Sequence, residues 1–176
     1  MPSYAGIGSR ETPDEVLDWM SNIGQFLGTK GYVLRSGFAD GADKAFARGA
    51  ETVDGPMENF LPWPGFNGAP RSDDDRFIHV DDPETLNAAS EIAMQSHPNW
   101  AACSNAARNM HTRNVYQVLG RKLDDPVDFI VCWTPRGKRG GGTGQALRIA
   151  HSLGIRIYDL ALEEDQERLS QLLGSL

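Results

Sequence analysis

The chain has 176 residues, 17 of them basic and 24 acidic, for a formal net charge of −7, with 40% hydrophobic and 23% charged side chains. This balance describes one soluble globular domain over residues 1–176 and excludes a disordered chain. The acidic surplus disfavours nucleic acid held by charge alone, and no apolar run reaches the roughly 20 residues that span a bilayer. The opening Met1-Pro2-Ser3-Tyr4-Ala5-Gly6 has neither the basic nor the apolar region of a signal peptide, so a cytoplasmic location is expected. Cys103 and Cys132 make no disulfide framework, and the four histidines stand without ligand spacing. No metal or cofactor is expected.

A short buried strand is predicted around Ser3 to Ile7. Thr12-Pro13-Asp14-Glu15 then opens a helix, with Thr12 as cap, Pro13 in the first position and Glu15 closing a capping box. Val16, Leu17, Met20, Ile23 and Leu27 give that helix one apolar face, and Gly31 ends it. Tyr32 to Arg35 is a second strand, and Ser36 to Asp43 turns tightly into a second helix. Its face of Ala42, Ala45, Phe46 and Gly49 suits close packing. A third strand is predicted at Glu58 to Leu61.

Pro62-Trp63-Pro64-Gly65-Phe66-Asn67-Gly68 excludes a long helix or an inner strand. Residues 71–84 hold Asp73, Asp74, Asp75, Asp81, Asp82 and Glu84 and read as a solvated loop or helix entry. Helices follow near 84–96 and 104–120, separated by His97-Pro98-Asn99-Trp100. Val127 to Trp133 is an apolar strand, with a loop to Gly142 and a helix from about Thr143. Gly154 stops that helix, and Ile155 to Tyr158 precedes a C-terminal helix. The alternation predicts an α/β, Rossmann-like three-layer sandwich on a mainly parallel sheet of about five strands. Ligands of such sheets bind beyond the carboxyl ends of the strands.

Three glycine-bearing turns each join a predicted strand to a helix: Gly6-Ile7-Gly8-Ser9-Arg10, Ser36-Gly37-Phe38-Ala39-Asp40-Gly41 and Gly140-Gly141-Gly142-Thr143-Gly144. Glycine admits a ligand close to the backbone, and the helix start aims free N–H groups at an anion. Gly6, Gly8, Ser9, Arg10, Ser36, Gly37, Phe38, Asp43, Gly140, Gly141, Gly142, Thr143, Gly144 and Gln145 are the predicted ligand-binding residues. Glu11 occupies the place of the third glycine of a dinucleotide fingerprint, and no Gly-Lys-Ser/Thr occurs. NAD-dependent dehydrogenases and P-loop NTPases are therefore poor candidates. Arg10 either clamps a phosphate or makes a surface salt bridge. Arg136, Lys138 and Arg139 form a basic cluster before the last turn, for which ligand contact is favoured. Arg113 and Trp63 are further candidates, Trp63 either stacking a base or plugging its loop. Asn114 interrupts an apolar helical stripe and is assigned a core role. The histidines read as surface or satisfied side chains.

Taken together, the Gly6 to Arg10 turn, Ser36-Gly37-Phe38-Ala39-Asp40-Gly41-Ala42-Asp43 and Gly141-Gly142-Thr143 resemble the SLOG superfamily. It comprises DprA/Smf-like, YpsA-like and LOG-like proteins, and the resemblance is closest to small DprA-like proteins of bacteria and phages. It implies a Rossmann-like fold holding a nucleotide-derived ligand over these turns. Phe38 stands where a glycine is common. The LOG-like enzymes carry a catalytic glutamate at the position of Ala146, a departure that argues against their hydrolysis here. Glu11, Asp40 and Asp43 remain as candidate carboxylates for N-glycosidic cleavage. The expected partner is a small-molecule nucleotide, a nucleoside phosphate or an ADP-ribose-like ligand, and the missing glutamate shifts weight towards binding while turnover stays open. Release of free base from a nucleoside 5′-monophosphate, and DprA-like binding of single-stranded DNA, are the alternatives. Homo-oligomerisation is left open.

Overall fold

The computed structural model describes residues 1–71 and 74–176, so Asp73 of the acidic run lies outside the described residues. Alternation along the strands sets the layers. In β1 (Ser3–Gly6), Tyr4 joins one core and Ala5 the other. In β5 (Phe129–Cys132), Phe129 and Val131 face the first core while Ile130 and Cys132 face the second. Side chains alternate across a strand, and all of these are buried, so the sheet needs helices on both faces. One core takes α1 (Asp14–Thr29), α2 (Ala42–Glu51) and α6 (Glu163–Gly174). The other takes α3 (Pro83–Ser96), α4 (Asn105–Leu119) and α5 (Gly141–Ser152).

The remaining strands are β2 (Val33–Ser36), β3 (Met57–Phe60), β4 (Phe77–Ile78) and β6 (Arg156–Asp159). All pairings are parallel, in the order β4-β3-β2-β1-β5-β6. The described residues thus form six strands where about five were expected. The addition is β4, two half-buried residues at the sheet edge, registered as Asn59 to Phe77 and Phe60 to Ile78. Two residues inside an acidic run carry no period from which a strand can be read.

A second correction concerns the entry to α1. The Thr12 hydroxyl donates to the Ser9 carbonyl at 2.6 Å, and Pro13 takes the cap position without a side-chain bond. Thr12 therefore fastens the turn after β1, leaving Asp14 and Glu15 to complement the helix dipole. Strand order runs outward from β1 in both directions, through β2 on one side and β5 on the other. At such a reversal the connections leave to opposite faces and a crevice opens beyond the carboxyl ends.

Candidate functional site

That crevice is a cleft of ≈ 710 Å³, a volume in the range of small-molecule sites. Ile7, Gly8, Ser9, Arg10 and Glu11 enter it from the turn after β1, and Thr134, Pro135, Arg136 and Lys138 from the loop after β5. Gly140, Gly141, Gly142, Thr143 and Ala146 form its glycine-rich wall. Met110, His111, Arg113, Asn114 and Gln117 of α4 close the side, and Ala39 and Asp43 complete the lining.

The start of α5 borders the cleft with its first backbone N–H groups free. Its cap residue, Gly140, has no side chain to take the N–H groups of the first turn, and no side-chain cap is present there among the described residues. Gly141 has φ +61°, which glycine adopts without strain. The loop is held from behind. Asn114 Nδ2 donates to the Gly142 carbonyl at 3.2 Å and to Gln145 Oε1 at 3.1 Å, and Gln145 Nε2 donates to Ser96 Oγ at 3.0 Å. A buried chain of amides thus ties the glycine turn to α4 and α3. Arg136 lies in the left-handed region at φ +57°, a strained arrangement for a non-glycine residue on the cleft wall. Arg10, Arg136 and Lys138 make no ion pair among the described residues.

The turn after β2 is satisfied from within. Asp43 Oδ2 accepts the N–H groups of Gly37 and Ala39, each at 3.2 Å. Burial pushes this carboxyl from 3.8 up to about 6, against the opposing pull of Arg113 and of the amides of Ala39, Gly37 and Gly8. Arg113 is itself buried, and loss of water lowers its affinity for a proton. Its Nη1 donates to the Gly37 carbonyl and, at 3.2 Å, to that of Phe60. A carboxylate of the protein therefore already holds the donors that the second turn would offer a phosphate. The first and third turns remain open to a ligand.

Over 97% of its length the chain is similar to the X-ray structure of DNA processing protein A (DprA) from Streptococcus pneumoniae, with a TM-score of 0.58 and 16% identity. The chain has a DprA-like Rossmann fold. It spans 56% of that protein's chain, and identity this low speaks for the fold alone. No protein-family model and no curated protein matches the sequence.

Within the DprA-like fold, several predicted residues stand behind the cleft rather than on it. Gly6 lies in β1, where a Cβ would collide with Phe46 and Leu34, and Ser36 Oγ donates to the Gly6 carbonyl at 2.6 Å. Gly37 is covered by Arg113, and Gly144 packs against the backbone of Arg139, which is exposed. Gln145 is fully buried as part of the amide chain. Phe38 sets its ring edge to face on Phe77 at 4.9 Å, and Trp63 does the same on Phe66 at 5.3 Å. Among the candidate carboxylates, Glu11 and Asp43 line the cleft, whereas Asp40 pairs with Lys44 at 2.7 Å outside it. Asn114 combines its expected structural role with a place on the wall.

Sequence reasoning missed Met110, His111, Gln117 and Thr134. The α4 residues lie on its apolar stripe or beside it, and only the packing angle of α4 decides which of them face the cleft. Thr134 is buried, its N–H donating to Asp159 Oδ1 at 3.1 Å and its hydroxyl to Oδ2, a bond that joins the ends of β5 and β6.

Proposed function

We propose that the chain binds a nucleoside phosphate or an ADP-ribose-like ligand, its phosphate on the first turn of α5. The observation that supports this reading is an uncapped helix start at the reversal of strand order, sharing one cleft with Arg10, Arg136 and Lys138. Free N–H groups, helix dipole and guanidinium together favour a phosphate. Ala146 is on the cleft wall at the position of the LOG-like glutamate, which supports binding without turnover. A second reading, single-stranded DNA, draws on the likeness to a DNA processing protein; the net charge of −7 weighs against it.

A thermal-shift screen of nucleoside mono-, di- and cyclic phosphates and ADP-ribose tests the proposal. A true ligand at about 100 times its Kd adds about 2.7 kcal/mol of stability, and the matching nucleoside adds much less. Chromatography of the same mixtures detects free base. Base release by the wild type would convert the binding reading into the glycosidase one, with Glu11 the first carboxylate to replace. Stabilisation by oligonucleotides and by no mononucleotide would reverse the order of the two readings.

A further inference from the structure

Beside the cleft, three side chains with no common sequence motif meet. His97, just past the end of α3, Cys103, just before α4, and His111, in the second turn of α4, bring one donor atom each to within 4.8 Å of one another. Cys103 Sγ lies 3.9 Å from His97 Nδ1 and 3.8 Å from Nε2, and the two imidazole centroids are 4.4 Å apart. Ligands of a tetrahedral zinc ion, with bonds of about 2.3 Å to sulfur and about 2.0 Å to nitrogen, stand about 3.5 Å apart. The sulfur-to-nitrogen separations of 3.8 and 3.9 Å are near that spacing, and the three donors span no more than 4.8 Å.

We propose that His97, Cys103 and His111 form a three-ligand site for a borderline-soft divalent ion, zinc by its donor set. Two imidazoles and a thiol are the donors zinc favours over magnesium or calcium. Hydrogen bonding leaves the cluster incomplete: the His111 Nδ1 atom is buried and has no hydrogen-bond partner among the described residues. The thiol can donate to the Asn99 carbonyl at 3.6 Å, and His97 Nδ1 accepts the Asn99 N–H at 3.1 Å. Ligation through either nitrogen of His97 exchanges that Asn99 contact for the metal bond. The ion binds the thiolate, so the thiol proton passes to solvent and the sulfur's charge offsets part of the ion's.

All three residues are partly accessible, and His97 also borders a hollow of ≈ 460 Å³ between α3 and α5 that gives an entry path. Three protein donors leave a fourth position for water. His111 is shared with the wall of the nucleotide cleft, but the site stands independently of the nucleotide reading.

Titration of the reduced, metal-free chain with Co²⁺ tests the site directly. The expected result is one ion per chain, with a thiolate-to-cobalt charge-transfer band in the near ultraviolet and visible bands of four-coordinate cobalt. Added Zn²⁺ should abolish both. Cys132 is fully buried in the core, so the charge-transfer band reports on Cys103. Cys103→Ser should lose that band, and His97→Ala and His111→Ala should each weaken binding about 100-fold or more, beyond what loss of an outer partner does. The exposed His151→Ala is the control and should bind as wild type. Circular dichroism melts identify any variant that fails to fold, and the two histidine variants serve as independent checks. Absence of a charge-transfer band, or equal affinity in Cys103→Ser and wild type, would overturn the proposal.

Discussion

Burial withdraws water from the Asp43 carboxylate, while Arg113 and the amides of Ala39, Gly37 and Gly8 stabilise its charge; the balance leaves it titrating at about 6. A carboxyl raised in the folded state favours folding in its protonated form. That contribution is fully present below the unfolded value of 3.8 and is lost as pH rises through about 6. Asp43→Asn removes the titration and keeps one acceptor for the Gly37 and Ala39 amides. The unfolding free energy of wild type minus that of the variant should therefore fall by about 3 kcal/mol between roughly pH 3 and pH 7, read from urea melts. A difference that stays flat across this window would show that Asp43 is not the titrating group. Arg10 is the opposite case, exposed and without an ion pair among the described residues. Its removal should leave folding stability within about 0.5 kcal/mol, as for other surface sites. Arg10→Ala should nevertheless weaken a phosphorylated ligand about 10- to 100-fold, the value of a charge-assisted bond, and leave the nucleoside unaffected. Calorimetric titration of the pair measures both, and equal weakening would remove Arg10 from the phosphate site.

Among the elements, α5 supplies the glycine-rich wall of the cleft. A Cβ on Gly142 meets no heavy atom closer than Asn114 Nδ2 at 3.7 Å, and its backbone lies outside the left-handed region. Gly142→Val should therefore fold, with a melting temperature within about 4 °C of wild type, while its branched side chain screens the free N–H groups. Nucleotide affinity should drop at least about tenfold by calorimetry; undiminished binding would place the phosphate elsewhere. The element order was legible because long amphipathic helices and apolar strands carry their period locally, as α1 and β5 do. α5 starts at Gly141, two residues ahead of the expected Thr143, because glycines carry no period to mark the boundary. The strand β4 and the true role of Thr12 were not legible. Both depend on partners elsewhere in the backbone, the edge of β3 in one case and the Ser9 carbonyl in the other. The same reason divides the site. Its glycine turns announce themselves in sequence, whereas His111 and Gln117 reach the wall through helix packing. The meeting of His97, Cys103 and His111 depends on how α3 approaches α4.

At the scale of the whole molecule, the proposed phosphate ligand must be reconciled with an acidic chain. A net charge of −7 repels polyanions at long range, but screening at about 0.15 M salt confines that field to about 8 Å. Within the cleft, Arg10, Arg113, Arg136 and Lys138 outnumber Glu11 and Asp43, and the first turn of α5 adds its dipole, so the local balance is positive. A small ligand reaches this short-range field while meeting little of the acidic surface, whereas a long strand must also lie across that surface. Salt dependence separates the two cases. Binding of a nucleoside monophosphate should involve one or two displaced ions, so that log K falls with log salt at a slope of about −1 to −2. A single strand neutralised by several basic groups loses affinity at about −0.7 per phosphate contact, so a slope beyond about −3 requires at least four or five contacts. Measured by fluorescence anisotropy over a salt series, the chain should bind a labelled mononucleotide with the shallow slope and an oligonucleotide no more tightly. An oligonucleotide bound more tightly and with the steep slope would mean that a basic surface beyond the cleft takes part, and single-stranded DNA would become the leading ligand.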